Sequence, residues 1–346
     1  MKGLAGHAVL LAVALVAAWL TWTRDESVTS EDFQTTVWSA NPEAIESVTY
    51  TGSDRYLSLS RRNEDGEDYL WGLELRRTRD SAGVAVPSPP DTAVFPVNDS
   101  GEDLIRFLAP LRALRDLGTL ESLGAERQAE YEITTPSDTL VVRLRNGEEE
   151  RLLLGGAVFG GNGRYALTPD DGRVYAVSGI PISLLEGGRP RFEDTRLHAF
   201  YLNDVERVVL ETGGSQRVRV RTGGTGAETT WAPPDDPAQT DATFGNFMNR
   251  VAALRTMGFV GTLPEDSLEL LVRLEYQQDD GDPMGTFELF RGPEGSGEGD
   301  PALETPFYVR TERTRVLART STPEAQRIAE DLEALFSGEG AEEFAP

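Results

Sequence analysis

From Leu4 to Trp22 the chain reads LAGHAVLLAVALVAAWLTW, nineteen residues whose one titratable side chain is His7. A run this apolar has few folded fates. As a helix it rises about 28 Å, close to the roughly 30 Å hydrocarbon core of a bilayer. Trp19 and Trp22 stand at its far end, where indole rings favour the membrane interface. Lys2 lies before the run, and Arg24, Asp25 and Glu26 follow it. The expectation is a transmembrane signal-anchor over 1–23, crossing the inner (cytoplasmic) membrane once, with the body on the periplasmic or extracellular side. Two readings compete with it. One is a cleaved signal peptide, for which Val16 and Ala18 satisfy the small-residue rule and Trp19 would begin the mature chain. The other is a helix buried in a soluble core.

The 346 residues suffice for about two domains of ~150 residues. The chain carries 58 acidic against 33 basic residues, a formal charge of −25, which repels phosphate backbones, argues against a nucleic-acid partner and disfavours acidic partners and anionic lipid surfaces. Lys2 is the sole lysine, every other cation being arginine. This fits a GC-rich genome and, with the acid excess, solubility in saline surroundings. Cysteine is absent, which removes disulfides, thiolate nucleophiles, zinc fingers, iron–sulfur sites and a lipidated anchor residue together.

After a polar linker (24–42), Ile45–Tyr50, Tyr56–Arg61 and Tyr69–Leu75 alternate as strands do, with a turn at Asp65-Gly66. Residues 80–99, rich in Pro, Ser and Asp, read as an irregular loop. A helix is expected from Ser100, boxed by Asp103, striped by Leu104, Leu108, Leu111 and Leu114, and closed by Gly118. Strand-like runs follow at 139–145, 151–154, 164–167 and 173–177, with turns at Asn162-Gly163 and Asp171-Gly172. The same order then returns. Val205-Glu-Arg-Val208 echoes Ile45-Glu-Ser-Val48, and Trp231 lies as far beyond Val208 as Trp71 lies beyond Val48. A helix over 241–257 turns Phe244, Phe247, Met248, Val251 and Leu254 inward, and its end AALRTMG (252–258) mirrors RALRDLG (112–118). Strand-like runs recur at 268–276, 286–291, 306–310 and 314–319, and a last helix opens at Thr322-Pro323-Glu324. The fold class expected is therefore α+β: an N-terminal transmembrane helix, then two tandem antiparallel sheet-plus-helix units over 43–195 and 200–337, with a disordered tail at 338–346.

The ordered series Tyr131-Glu-Ile-Thr-Thr-Pro136, Leu154-Gly155-Gly156, Gly163-Arg164-Tyr165, Arg173-Val174-Tyr175 and Phe192-Glu-Asp-Thr-Arg196 resembles the bacterial domain-of-unknown-function family 4340. The resemblance runs from about Ile45 to Phe336 and is carried by order and spacing, each motif being short. It implies a short transmembrane segment followed by β-rich repeats. It also implies an accessory place beside ABC transporter components of the gliding-motility type. No catalytic residues come with the family. Residues 80–99 and 292–301 look like local elaborations.

The residues themselves carry no catalytic signature. Gly160 is followed by Gly161-Asn162 rather than the Lys and Ser/Thr of a phosphate loop. His198, the one body histidine, has no G-x-S-x-G partner, and a single histidine is too few for an ordinary catalytic zinc. In Asp279-Asp280-Gly281-Asp282 the spacing of a calcium loop fails at Gly281 and Met284. No cofactor or metal is expected. Trp71 and Trp231 are core aromatics or, in the functional reading, candidate partner-binding anchors. The expected function is a non-enzymatic, membrane-tethered exocytoplasmic scaffold or accessory subunit of an envelope complex. Its partners would be the membrane through residues 4–22 and envelope proteins such as ABC transporter subunits. The alternative is an envelope polymer hydrolase using a carboxylate pair ~5–9 Å apart.

Overall fold

A computed structural model describes residues 35–337, except 65, 78–89, 137, 261–262, 265–266 and 294–304. The expected anchor (1–23), residues 24–34 of the linker and the tail (338–346) lie outside the described residues. Among the described residues no helix is long and apolar enough to cross a membrane.

The chain is α+β, with two antiparallel sheets and six α-helices among the described residues. The strands of the N-terminal half are β1 (Thr35–Ser39), β2 (Ile45–Thr51), β3 (Arg55–Glu64), β4 (Glu67–Arg76), β5 (Asp91–Pro96), β6 (Pro110–Thr119), β7 (Asp138–Leu144), β8 (Glu149–Ala157), β9 (Gly163–Thr168) and β10 (Arg173–Ser178). Those of the C-terminal half are β11 (Arg207–Thr212), β12 (Ser215–Gly223), β13 (Thr230–Ala232), β14 (Thr256–Phe259), β15 (Glu269–Gln277), β16 (Pro283–Arg291), β17 (Phe307–Thr311) and β18 (Ala318–Thr320). The helices are α1 (Asp99–Leu108), α2 (Ala125–Glu130), α3 (Gly179–Gly187), α4 (Arg189–Phe192), α5 (Ala242–Ala253) and α6 (Thr322–Ser337). By contacts the chain divides into two compact units, residues up to 53 with 104–186, and 54–103 with 187 onward.

In the first unit the antiparallel ladder runs β1-β6-β10-β9-β8-β7-β2. Its strands alternate as half-buried strands should: β7 buries Leu140 and Val142, and β2 buries Ile45, Val48 and Tyr50. Residues 35–39 were expected in the linker, yet they pair with β6. Trp38 explains this, for its ring is buried and its indole N–H donates to Leu108 O at 2.8 Å.

The second unit holds the ladder β3-β4-β5 and the order β13-β12-β11-β15-β16-β17-β18-β14. Asp241 caps α5 by accepting from Phe244 N at 2.9 Å and is itself held by Arg219 Nε at 2.8 Å. The inward face of α5 is the expected one: Phe244, Phe247, Met248, Val251 and the following Leu254 join Val208, Leu274, Phe287 and Val309 of the sheet in one core. Each such side chain contributes about 1.5–3 kcal/mol on burial. α6 adds Ala325, Ile328, Leu332 and Leu335 to the same core, and Arg250 pairs with Asp331 at 2.6 Å.

Residues 54–103 belong with the second unit for identifiable reasons. Asp194 N donates to Pro96 O at 2.9 Å. Arg315, in the left-handed region at φ 58°, sets its guanidinium 4.2 Å over Tyr69 and pairs with Glu64 and Glu67 at 3.2 and 2.8 Å. The division at 195–200 follows the sequence order of elements, whereas side chains such as these group β3–β5 with the C-terminal half.

The order of elements repeats. β6-β10-β9-β8-β7-β2 is matched in chain position, strand for strand, by β14-β18-β17-β16-β15-β11, and the hairpin β3-β4 by β12-β13. α1 precedes β6 as α5 precedes β14, and α3 follows β10 as α6 follows β18.

Two expected helices are shorter than the spacing predicts. The 100–118 helix stops at Leu108, because Pro110 lacks an amide donor and steers Ala109 out of the α region. Residues 110–119 form β6 instead, burying Leu111 and Ala113 while Leu114 points out. The 241–257 helix ends at Ala253, and 256–259 pair with β18. The helix cap is Asn98, whose Oδ1 accepts from Ser100 N, rather than Ser100 itself. Within the expected 80–99 loop, Asp91–Pro96 is a strand paired with β4, and residues 80–89 lie outside the described residues. Residues 314–317 are not strand; Thr314 is buried and exchanges hydrogen bonds with Thr311.

Candidate functional site

The two tryptophans occupy matching places. Trp71 lies on β4 opposite Ser60 of β3, and Trp231 lies on β13 opposite Arg221 of β12. Both rings are covered, at 4% and 3% exposure. Trp71 is edge-on to Tyr69 and lies beneath the Arg62 guanidinium, 4.7 Å from the ring centroid. Trp231 meets Phe244 edge-on at 5.6 Å. Neither is an exposed anchor. Trp231 does, however, wall one side of a cavity of about 310 Å³, closed elsewhere by Leu202, Met248, Ala252 and Ala253, with Asn203 and Asn249 among its lining. No lining residue is an acid, a base or a thiol. That chemistry suits recognition of an apolar group oriented by amides, at the small end of the usual ligand-site range.

A second, more open cavity of about 350 Å³ is lined by Asn98, Asp99, Ser100, Glu193, Asp194 and Arg196. Its carboxylates are already engaged. Asp194, 3% exposed, accepts from Arg196 Nε and Nη2 at 3.0 Å, from Arg196 N at 3.0 Å, and from Arg313 Nε at 2.8 Å as well as Arg313 Nη2. Burial alone would raise its pKa, but these donors outweigh burial and hold the carboxyl below its ordinary range. Glu193 pairs with Arg189 at 2.7 Å. A general acid for glycoside cleavage needs a raised pKa, and Asp194 has the reverse.

Three of the family-like motifs meet in the first unit. Gly156 N donates to Tyr131 O at 2.8 Å, and Tyr131 stacks on Tyr165 at 4.0 Å. A Cβ on Gly155 would collide with Tyr131 O and stand 2.7 Å from Ile133 Cγ2. The glycine pair thus lets the 131–133 segment lie directly on β8, a packing role rather than a phosphate cradle. In the same unit Tyr50 donates to Asp138 Oδ2 at 2.8 Å, and burial, then that carboxylate, push the phenol well above its ordinary pKa. It stays a protonated donor.

His198 is buried. Its Nδ1 lies 3.2 Å from both carboxylate oxygens of Glu312, and its ring packs on Phe200 and Tyr276. Nε2 and the Tyr276 hydroxyl are buried without a hydrogen-bond partner. Glu312 also accepts from Ala199 N and Thr286 N, so this group fastens the 197–200 segment to β16. Asp280 closes the β15–β16 turn by accepting from Asp282 N. Among the described residues no three His, Asp or Glu side chains are grouped to hold a metal ion. The tryptophans were legible through their spacing, and Asp194 stood within the Phe192–Arg196 motif, but its Arg313 partner, 119 residues away, was not legible.

No curated protein and no solved structure matches the chain. The family model described as a domain of unknown function, DUF4340, matches residues 90–271, a span that includes every one of the ordered motifs from Tyr131 to Arg196. With more than half of its length so matched, the chain belongs to the DUF4340 family.

Proposed function

We propose that this protein is a non-enzymatic, membrane-tethered scaffold or accessory subunit of an exocytoplasmic envelope complex, serving an ABC transporter system of the gliding-motility type. The cavity beside Trp231 carries the reading: its walls offer apolar surface, two amides and the Thr229 hydroxyl, with no acid, base or thiol among them. The tether would be the 4–22 run, and the transporter association is what the resemblance of the ordered motifs implies. The second repeat then presents a side-chain-sized receptacle to a partner protein, while the first stands next in the chain to the membrane.

Ala252→Trp, at an exposed position on the cavity wall, would fill the receptacle from a residue that is not itself part of the core. Full-length protein captured from native membranes should bring transporter subunits with it, and the filled variant should lose them. Equal capture by both, or release of reducing ends from envelope polysaccharide by the purified protein, would count against the scaffold reading. A reporter fused after residue 40 should be active outside the cytoplasm alone.

A further inference from the structure

One surface of the first unit is out of character with the rest of the chain. About one residue in six is acidic overall, yet 109–115, 151–169 and 172–185 contain no Asp or Glu. These stretches bring three exposed apolar side chains to the β8–β9 turn: Leu114 at 48% exposure, Phe159 at 96% and Ile180 at 55%. Their neighbourhood is fixed by contacts. A Cβ built on Gly163 would stand 3.2 Å from Val158 Cγ2 and 3.5 Å from Leu114 Cδ1. Gly179 N, beside Ile180, donates to Asn162 O at 2.9 Å. The exposed cations Arg112 and Arg115 flank Leu114.

The register places the incoming chain beside this patch. Thr35 pairs with Ala113, Ala113 with Val177, Val177 with Arg164, and Arg164 with Ala157. These residues form one row across five strands, about 19 Å wide at ~4.8 Å per strand. Residues 23–34 span at most about 40 Å even fully extended. A body joined at Thr35 to a segment inserted at 4–22 therefore cannot stand far from the bilayer.

We infer that the Leu114–Phe159–Ile180 patch rests on the lipid bilayer beside the tether, Phe159 entering the interface and Arg112 and Arg115 meeting lipid headgroups. This rests on the tether reading above. The turn itself carries no acid, the nearby carboxylates of Glu132 and Glu186 standing beside Gly156 and Arg164 instead, and its ring gains in the interface what it forgoes by standing almost wholly in water. The tethered body is thereby held at two points and cannot tumble freely about its linker.

The native chain has no cysteine, so single labels are clean. Full-length Phe159→Cys and Asn146→Cys would each carry an environment-sensitive fluorophore in vesicles of phosphatidylcholine and phosphatidylglycerol. Asn146 sits in the turn at the far end of β8, roughly 30 Å from Phe159. Doxyl-labelled lipid should quench the 159 label at least about twofold, matching a side chain ~5–10 Å into the interface, and leave the 146 label unchanged. Position 159 is almost fully exposed, so its substitution spares the fold. Equal behaviour of both labels, in chains that resist carbonate extraction, would overturn the patch while leaving the tether intact. A blue shift at 159 without lipid quenching would identify a protein occupant and overturn it too. Chains washed off by carbonate would overturn tether and patch together.

Discussion

Replacing Asp194 by Asn takes one negative charge from between two arginines and leaves the shape of the site unchanged. Asp194 is 3% exposed, and its oxygens accept five hydrogen bonds from Arg196 and Arg313. Breaking a buried pair by removing one partner costs about 3–5 kcal/mol. The Arg196 side chain is 53% exposed and regains water, so its share is small; Arg313, at 24%, loses more. We expect a loss of about 3 kcal/mol at neutral pH, a large part of the 5–15 kcal/mol that holds a typical domain. In urea this moves the midpoint down by about 1–3 M for slopes of 1–3 kcal/mol per M. The pH dependence has a definite sign. The folded carboxyl titrates below its unfolded value, so its contribution is fully present above about pH 4 and is lost as pH falls through the folded value. The gap between wild type and Asp194→Asn should therefore close in acid. Superposed urea curves at pH 7, or a gap undiminished near pH 2, would refute the reasoning.

Trp71→Ala and Trp231→Ala should each cost about 3–5 kcal/mol by urea titration, as for large aromatics removed from cores; losses under about 1 kcal/mol would return the rings to a surface role. Gly155→Ala should lower the melting temperature through about 1–3 kcal/mol of overpacking against Tyr131 O and Ile133. A variant melting with the wild type would mean the 131–133 segment does not lie on β8. With a net charge of −25 the body should remain soluble from low to molar salt, checked by light scattering; precipitation as salt rises would contradict a surface kept apart by its own charge.

Much of the sheet was legible because its strands obey a period of two and are separated by turns that need glycine. Gly66, at φ 87°, stands in the two-residue β3–β4 connection, and Gly172, at φ 63°, in the β9–β10 turn. The helix ends were not. RALRDLG and AALRTMG carry apolar residues three and four apart, so spacing alone extends each helix through them. Pro110 was the local signal that decides the first case. In the second no proline intervenes, and the deciding contact is the pairing of Thr256 with Thr320, 64 residues on. The tryptophan pair was legible through equal spacing from Val48 and Val208. The cavity beside Trp231 was not, because Leu202 and Ala252 reach it from separate elements. Acid-free stretches were visible in the sequence, but their convergence needed the row of pairings from Thr35 to Ala157.

The second sheet ends on short strands, β13 with three residues and β14 with four. An end strand offers unpaired amides and carbonyls to any neighbouring chain, and the offer grows with its length. Three or four residues give an incoming strand too few partners to register against. Tethered molecules share a plane and meet far more often than free ones, so long bare edges would invite them to stitch into fibres. If the proposed tether holds, the clipped ends would let many copies crowd one membrane while each sheet remains its own.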